Sequence, residues 1–500
     1  MSGSLVRLHP DDTVAIARRA LSAGEEGAVE DIPRGHKMAL APVAAGGAVL
    51  KYAQAIGVAS VDIAAGAHVH THNLAFHASR QDHQFCAAAR ETDFVPLDQR
   101  ASFMGYHRPD GRVGTRNFIA VITSVNCSAT AGRLIAEAFG AEEMAAYPNV
   151  DGVAAFVHGT GCAMAANSDG FENLQRVMWG YARNPNCAGV LMVGLGCEGM
   201  QIDLLLDLYG MTRGPLFRTM NIQHMGGLRR TIDAGVAIVR EMLPHANAVT
   251  RAPADASHLM LALQCGGSDA WSGVTANPAL GYAADLLVRH GGTAVLAETP
   301  EIYGAEHLLT ARARDPETAQ KLMDRIAWWE GYTASHGGSM DNNPSPGNKA
   351  GGLTTILEKS LGAVAKSGTC ALEGVYRYGE PIDRKGFVFM DSPGYDPVSI
   401  TGEIASGCTL AAFTTGRGSV FGSKPAPCIK IASNTEMASR MADDMDVDAG
   451  RIVSAGESIE AVGAEIFDLL LRVASGEPPL SEAQGLGDYE FVPWQVGAVM

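Results

Sequence analysis

The feature that most constrains the fold is a series of short apolar runs, each closed by polar or thiol-bearing residues and then by a stretch of helical spacing. Six such runs are "FIAVIT" (118–123), "GVAAFVH" (152–158), "GVLMVGLG" (189–196), "FRTMNI" (217–222), "LMLALQ" (259–264) and "TAVLAE" (293–298). Runs without apolar–polar alternation read as strands covered on both faces. Their alternation with helical periods, such as one expected from about Ser128 to Phe139, predicts an α/β fold with mostly parallel sheets. Chemistry-bearing residues follow each run in turn: Asn126 and Cys127, His158 and Cys162, Cys197 and Glu198, Gln223 and His224, Cys265 and Asp269, Glu298 and Glu301. In open α/β sheets the ligand crevice lies outside the carboxyl ends of the strands, where loops converge and helix N-termini face the ligand. Glycine-rich turns tolerate small polar residues anyway, so the whole set, rather than any single position, points to a site.

The first hundred residues differ. "HKMALAPVAAGGAVLKYAQAIGVASVDIAAGAHVHTHNL" is a row of short apolar runs broken by "AGG", "IG" and "AAG", the pattern of a small β-rich unit. The polar stretch from Ala78 to about Ser102 reads as a linker, with a domain boundary near residue 100. Within the β-rich unit, "HVHTHN" places His68, His70 and His72 at alternate positions. In an extended strand all three project from one face. Such a face suits zinc or iron, a half-exposed strand edge or an anion.

Composition removes several function classes. The chain has 500 residues, 47% of them hydrophobic, enough for two to four cores, and a net charge of −16 without Lys-rich runs, which argues against nucleic acid or an anionic membrane as partner. The opening "MSGSLVRLHPDD" has no apolar leader and no run reaches membrane-spanning length, so a cytoplasmic location is expected. Nine cysteines, with no CxxC pair, are expected to be reduced. Four of them, Cys127, Cys162, Cys197 and Cys265, sit in the small or polar contexts "SVNCSAT", "HGTGCAM", "GLGCEG" and "LQCGGSD". GxGxxG and GxxxxGK[ST] fingerprints are absent, so parallel-sheet topology here need not mean a nucleotide.

The C-terminal half is dense in Gly, Asn and Pro. "NNPSPGNKAGGLTTILEKSLG" (342–362) leads toward a helix expected at about Gly352, with Asn348 and Lys349 just before it as a carboxylate-binding pair. Arg417 in "TTGRG" offers bidentate carboxylate recognition, although the same tripeptide suits a solvated turn. Thiolates, carboxylates and a lysine without a phosphate loop fit elimination of water β to a carboxylate. That reaction needs a base for the α-proton, an acid for the leaving hydroxyl, and gains from a divalent iron or manganese ion that chelates the hydroxy acid. Soft thiolates favour iron, as a single ion or a cluster with an open position.

The segments "GYHRPDGRVGTRNFIAVITSVNC", "GLGCE", "LQCGGSDAWSGVTANPALG", "ETPEIYGAEHLL", "NPSPGNKAGGL", "EKSLGAVAKSG", "MDSPGYDPVSITG" and "FTTGRGSVFG" resemble the altronate/galactarate dehydratase family from about Ile32 to about Gly456. The resemblance implies a sugar-acid hydro-lyase that forms a 2-keto-3-deoxy acid, Fe2+ as usual cofactor with Mn2+ or an iron–sulfur cluster left open, and a homodimer. It also implies a SAF-type β domain over 1–77, a linker over 78–105, a dimerising middle α/β domain over 106–250 and a Rossmann-variant domain over 251–500. Carried over position by position, it covers Asn126, Cys127, Cys162, Cys197, Glu198, Cys265, Asp269, Glu298, Glu301, Asn348, Lys349, Glu358, Lys359 and Arg417. From that set Cys127, Cys162 and Cys265, with Cys197 as a fourth candidate, are expected to hold the metal. Lys349 and Arg417 are expected to grip the carboxylate with Asn126, Asp269, Asn348 and His70 as further substrate contacts. Glu301 with Glu298, or a histidine such as His72, is expected to move protons. The histidine tract resembles the altronate-like branch and is expected to close over the crevice. The family also resembles two-part sulfolactate sulfo-lyases, so loss of sulfite is one alternative; a non-catalytic sugar-acid sensor is another.

Overall fold

The computed structural model describes residues 3–77 and 83–500; residues 78–82, where the expected linker begins, lie outside the described residues. The N-terminal unit holds β1 (Leu5–Val6), β2 (Val14–Ala17), β3 (Lys37–Ala39), β4 (Ala48–Lys51), β5 (Gln54–Ala59), β6 (His68–Val69) and β7 (Leu74–Ala75). They form two small antiparallel sheets, ordered β1-β2-β3-β6 and β4-β5-β7. Strands this short, joined by turns, follow from the glycine punctuation read above.

Next come β8 (Ser102–His107), β9 (Val113–Gly114), β10 (Phe118–Thr123), β11 (Gly152–Phe156), β12 (Cys187–Gly194), β13 (Phe217–Asn221) and β14 (Ala252–Asp255). A four-stranded parallel sheet runs β11-β10-β12-β13. β14 returns antiparallel against β8, with Ala252 opposite Gly105 and Asp255 opposite Ser102, so the start and end of this unit are tied together.

The C-terminal unit holds β15 (Met260–Cys265), β16 (Thr293–Leu296), β17 (Leu372–Tyr376), β18 (Gly386–Met390), β19 (Leu410–Thr415), β20 (Cys428–Ala432) and β21 (Val447–Asp448). These make one seven-stranded parallel sheet, β17-β18-β16-β15-β19-β20-β21. Its central strands are buried throughout, apart from half-buried Met260 at the start of β15, because helices cover both faces. Leu261 and Leu263 face one core and Ala262 the other, the period-two alternation of a strand packed on both sides. The second core continues into the middle unit through Phe118, Ala120 and Ile122. The helices Asp169–Arg183 and Asp396–Ser406 touch there so closely that a Cβ on Gly180 would lie 2.2 Å from the Ala405 carbonyl oxygen.

Two local expectations are corrected. The extended strand at the histidine tract stops at Val69, and residues 70–73 form a turn because Asn73 Oδ1 accepts from the His70 amide at 2.9 Å. The helix expected at about Gly352 is two helices: Asn348 and Lys349 lie within Pro346–Ala350, and the next begins at Ile356 under a Thr355 cap. Among the described residues no helix is long and apolar enough to cross a membrane.

Candidate functional site

β15 and β16 are adjacent and parallel, Leu263 opposite Leu296, so the residues that follow them meet at one end of the sheet. Cys265 closes β15. Glu298 and Glu301 flank a short turn after β16, fixed by the Ser392 hydroxyl accepting from Glu298 N at 3.0 Å and by Glu301 N donating to Glu298 O at 2.7 Å. Among the described residues this trio alone brings three Cys, His or carboxylate donor atoms within 4.8 Å of one another. Glu298 takes φ 71°, a left-handed conformation that a glutamate adopts only where the surroundings impose it.

Two lysines complete the cluster. Lys366 Nζ lies 2.9 Å from Cys265 Sγ and 3.5 Å from Glu298 Oε2. Lys359 Nζ donates to Glu301 Oε1 at 2.8 Å and to Asn343 Oδ1 at 2.6 Å, and Cys265 Sγ donates to Glu301 Oε2 at 3.3 Å. Burial pushes the Cys265 thiol up to about 12, against the pull of Lys366. Burial and the neighbouring Glu301 push Glu298 well above the usual carboxylate range. For Glu301 burial acts in the same sense but is outweighed by Lys359 and Lys366, so its carboxyl lies low. Half-buried Asp396 is raised to about 6 by burial and by Glu301. Gly266 admits it: a Cβ there would lie 2.3 Å from Asp396 Oδ2.

The donor set fits a divalent cation. Both Glu298 carboxylate oxygens are buried and accept no hydrogen bond, the Lys366 contact being an ion pair too long to be one. A buried carboxylate with no hydrogen bond on either oxygen is free to ligate a metal ion. One sulfur with two carboxylates is a ligand mix suited to iron or manganese.

The N-terminal unit reaches this site through the segment that leads to Lys359. Buried Lys37 donates to Gly352 O at 2.6 Å and to Glu358 Oε2 at 2.8 Å, while Lys51 donates to Glu358 Oε1 at 2.8 Å. His36 Nε2 meets Ala350 O at 3.3 Å and His70 Nε2 meets Lys349 O at 2.9 Å. The rings of His36, His68, His70 and His72 form a connected cluster, with centroid separations of 4.9–5.5 Å. His72 is exposed at its rim.

The remaining expected residues are placed as follows. Asp269 is buried and accepts from Trp271 N, Ser272 N and Oγ, Ser433 Oγ and Asn434 Nδ2, so it fastens its own loop. Asn348 caps its own helix through Ser345 N and donates to Ser268 O. Lys349 is half-buried, and Arg417 is exposed on a loop whose amide donates to Gly267 O at 2.8 Å. Among the described residues the four cysteines do not form one donor set within 4.8 Å: Cys127, Cys162 and Cys197, with Asn126, follow strands of the middle sheet at its carboxyl edge, and Cys265 closes a strand of the C-terminal sheet.

Sequence reasoning missed Lys366, Asn343, Asp396, His36, Lys37 and Lys51. Lys366 carried a signal, because it follows Lys359 by seven residues and so returns to the same helical face. Asp396 begins a helix directly after the "SPGY" turn, and the two N-terminal lysines interrupt apolar strands.

Three family models match: the altronate/galactarate dehydratase SAF domain over residues 3–77, the D-galactarate dehydratase/altronate hydrolase second domain over 105–247, and the D-galactarate/altronate dehydratase C-terminal domain over 256–499. The chain is 35% identical to an altronate dehydratase of Escherichia coli (strain K12), covering 95% of this chain and 96% of the relative. It is 36% identical to a galactarate dehydratase (L-threo-forming) of the same organism, covering 94% and 93%. A (2R)-sulfolactate sulfo-lyase subunit beta of Chromohalobacter salexigens is 32% identical, covering 78% of this chain and 96% of the relative.

Proposed function

The chain belongs to the D-galactarate/altronate dehydratase family, and from that premise we propose that it removes water from a hexonate or hexarate at the Cys265–Glu298–Glu301 cluster, giving a 2-keto-3-deoxy acid. The observation that carries this placement is the buried, hydrogen-bond-starved Glu298 carboxylate beside a thiol, a second carboxylate and two ammonium groups. In this reading Cys265, Glu298 and Glu301 hold Fe2+, for which Mn2+ is the alternative. When bound, the ion supplies Lewis acidity that stabilises the enediolate-like charge of the elimination.

The chain's own groups handle the protons. An Asp396 carboxyl titrating at about 6 is poised to take the α-proton near neutral pH. Lys359 has three N–H donors, two of them committed to Glu301 and Asn343, and the third is available to the departing hydroxyl, which leaves as water. The enol that remains tautomerises to the keto acid. Lys366 Nζ, 2.9 Å from Cys265 Sγ, would offset the charge of that sulfur as a deprotonated ligand. Lys349 and Arg417 are the carboxylate-binding candidates, and His70 positions the Lys349 loop. We further place the enzyme in the cytoplasm as a homodimer, with units divided at 1–77, 78–105, 106–250 and 251–500.

The test is an anaerobic keto-acid screen across hexonates, hexarates and sulfolactate, before and after chelation and again after adding ferrous salt. Turnover of a sugar acid that chelation abolishes and iron restores is the expected result. Full activity after exhaustive chelation rejects the metal. Sulfite released from sulfolactate identifies the C–S lyase reading favoured by the sulfo-lyase match, and ligand-induced stabilisation without turnover identifies a sensor.

A further inference from the structure

We propose that Cys127, Cys162 and Cys197 ligate an iron–sulfur cluster through three thiolates at the carboxyl edge of the middle sheet, a site separate from the Cys265 cluster. Of the nine cysteines these three alone are exposed, and all three are free. Free cysteine is normally among the most buried residue types, so surface thiols collected on one sheet edge need a reason.

The three loops are laid side by side. Asn126 N donates to Thr160 O at 2.9 Å, and Met200 N donates to Gly161 O at 3.0 Å, so the loop carrying Cys162 lies between those carrying Cys127 and Cys197. The approach requires glycine: Gly161 has φ 101°, and a Cβ there would lie 2.2 Å from Ser124 O. Buried Glu198 fastens the outer two loops together, accepting from Ser124 Oγ at 2.6 Å, Leu195 N at 3.2 Å and Gly196 N at 2.6 Å. A carboxylate spent in this way does not compete for metal; it holds its neighbour Cys197 outward.

Cys127 lies in the first turn of the twelve-residue helix Asn126–Glu137, at the positive end of the helix dipole. Gln223 Nε2 donates to Cys197 Sγ at 3.3 Å, the kind of amide–sulfur bond that tunes a cluster. The trio is not among the donor sets within 4.8 Å of one another, so it is spread more widely than a single tetrahedral ion needs. A cluster, whose irons are themselves spread over several ångströms, takes thiolates set farther apart than a single ion does. Three thiolates where a four-iron cluster ordinarily takes four leave one iron open to a non-protein ligand.

The test is anaerobic purification of the full chain, with iron and acid-labile sulfide counted and the visible and electron paramagnetic resonance spectra recorded. The expected result is about four labile sulfides and four cluster irons per chain, beyond the single iron at Cys265; the sulfide is lost in each of Cys127→Ser, Cys162→Ser and Cys197→Ser and retained in Cys265→Ser. Circular dichroism on each variant separates loss of the cluster from loss of the fold. Absence of labile sulfide after anaerobic reconstitution with ferrous iron and sulfide overturns the proposal, as does bound zinc in its place or a cluster that survives Cys197→Ser. Cys265→Ser reports on the catalytic reading through turnover alone, so either reading can fail without the other.

Discussion

Lys37→Met removes one member of a buried ion triad that joins the N-terminal unit to the segment presenting Lys359. Lys37 is fully buried, and its ammonium serves Gly352 O and Glu358 Oε2; Glu358 then keeps Lys51, Thr354 N and Thr354 Oγ1. Breaking a buried pair by removing one partner costs about 3–5 kcal/mol, because the other charge stays buried. That corresponds to a change of roughly a hundred- to several-thousand-fold in the equilibrium for opening this junction. Glu358→Gln is expected to cost more, since two buried ammonium groups then face a neutral amide. A triple variant, Lys37→Met, Lys51→Met and Glu358→Leu, is expected to recover part of the loss, because apolar replacement of a whole buried network is often tolerated. Native-state hydrogen exchange on helix Ile356–Val364 reads the opening directly, and turnover follows because Lys359 is the residue after Glu358. If exchange on that helix changes by less than tenfold in Lys37→Met, the triad does not hold the junction and the reasoning fails.

Three further outcomes follow from particular contacts. Burial holds His158 down at about 4, with Nε2 bonded to Thr123 O, so the unfolded chain binds its proton first; stability is lost as pH falls from about 6.5 to about 4, by ~3 kcal/mol, and a thermal midpoint in His158→Gln with the wild-type slope over that window contradicts this. Gly266→Ala drives a methyl group into Asp396 and is expected to lower kcat about a hundredfold or more, the size of a lost acid–base group, in a protein that still folds; unchanged kcat removes Asp396 from proton transfer. His70→Ala loses the bond to Lys349 O and is expected to raise KM by roughly five- to thirtyfold, the worth of about 1–2 kcal/mol, whereas exposed His72→Ala leaves it unchanged; equal effects of the two remove the positioning role.

The parallel strands were legible because "FIAVIT" and "LMLALQ" are apolar without alternation, which only burial on both faces explains. The strand-end position of Cys265, Glu298 and Glu301 was legible for the same reason. Strand order was not: that β15 lies beside β16 while β10 and β12 form another sheet decides which cysteine meets which glutamate, and no local signal encodes it. Lys37 and Lys51, lysines inside apolar strands, announce a buried partner, but Glu358 lies some three hundred positions on. At the histidine tract the alternation rule failed because Asn73 imposes a turn. The rings converge nonetheless, drawn together by the turn and by His36, more than thirty positions upstream.

Anomalous diffraction at the iron edge from anaerobically grown, iron-loaded crystals shows whether Cys265, Glu298 and Glu301 hold the catalytic ion. The expected result is an iron peak in contact with Cys265 Sγ and the Glu298 and Glu301 carboxylates, lost in Glu298→Gln. Iron confined to the Cys127–Cys162–Cys197 edge in crystals of active enzyme, with none at Glu298, contradicts it.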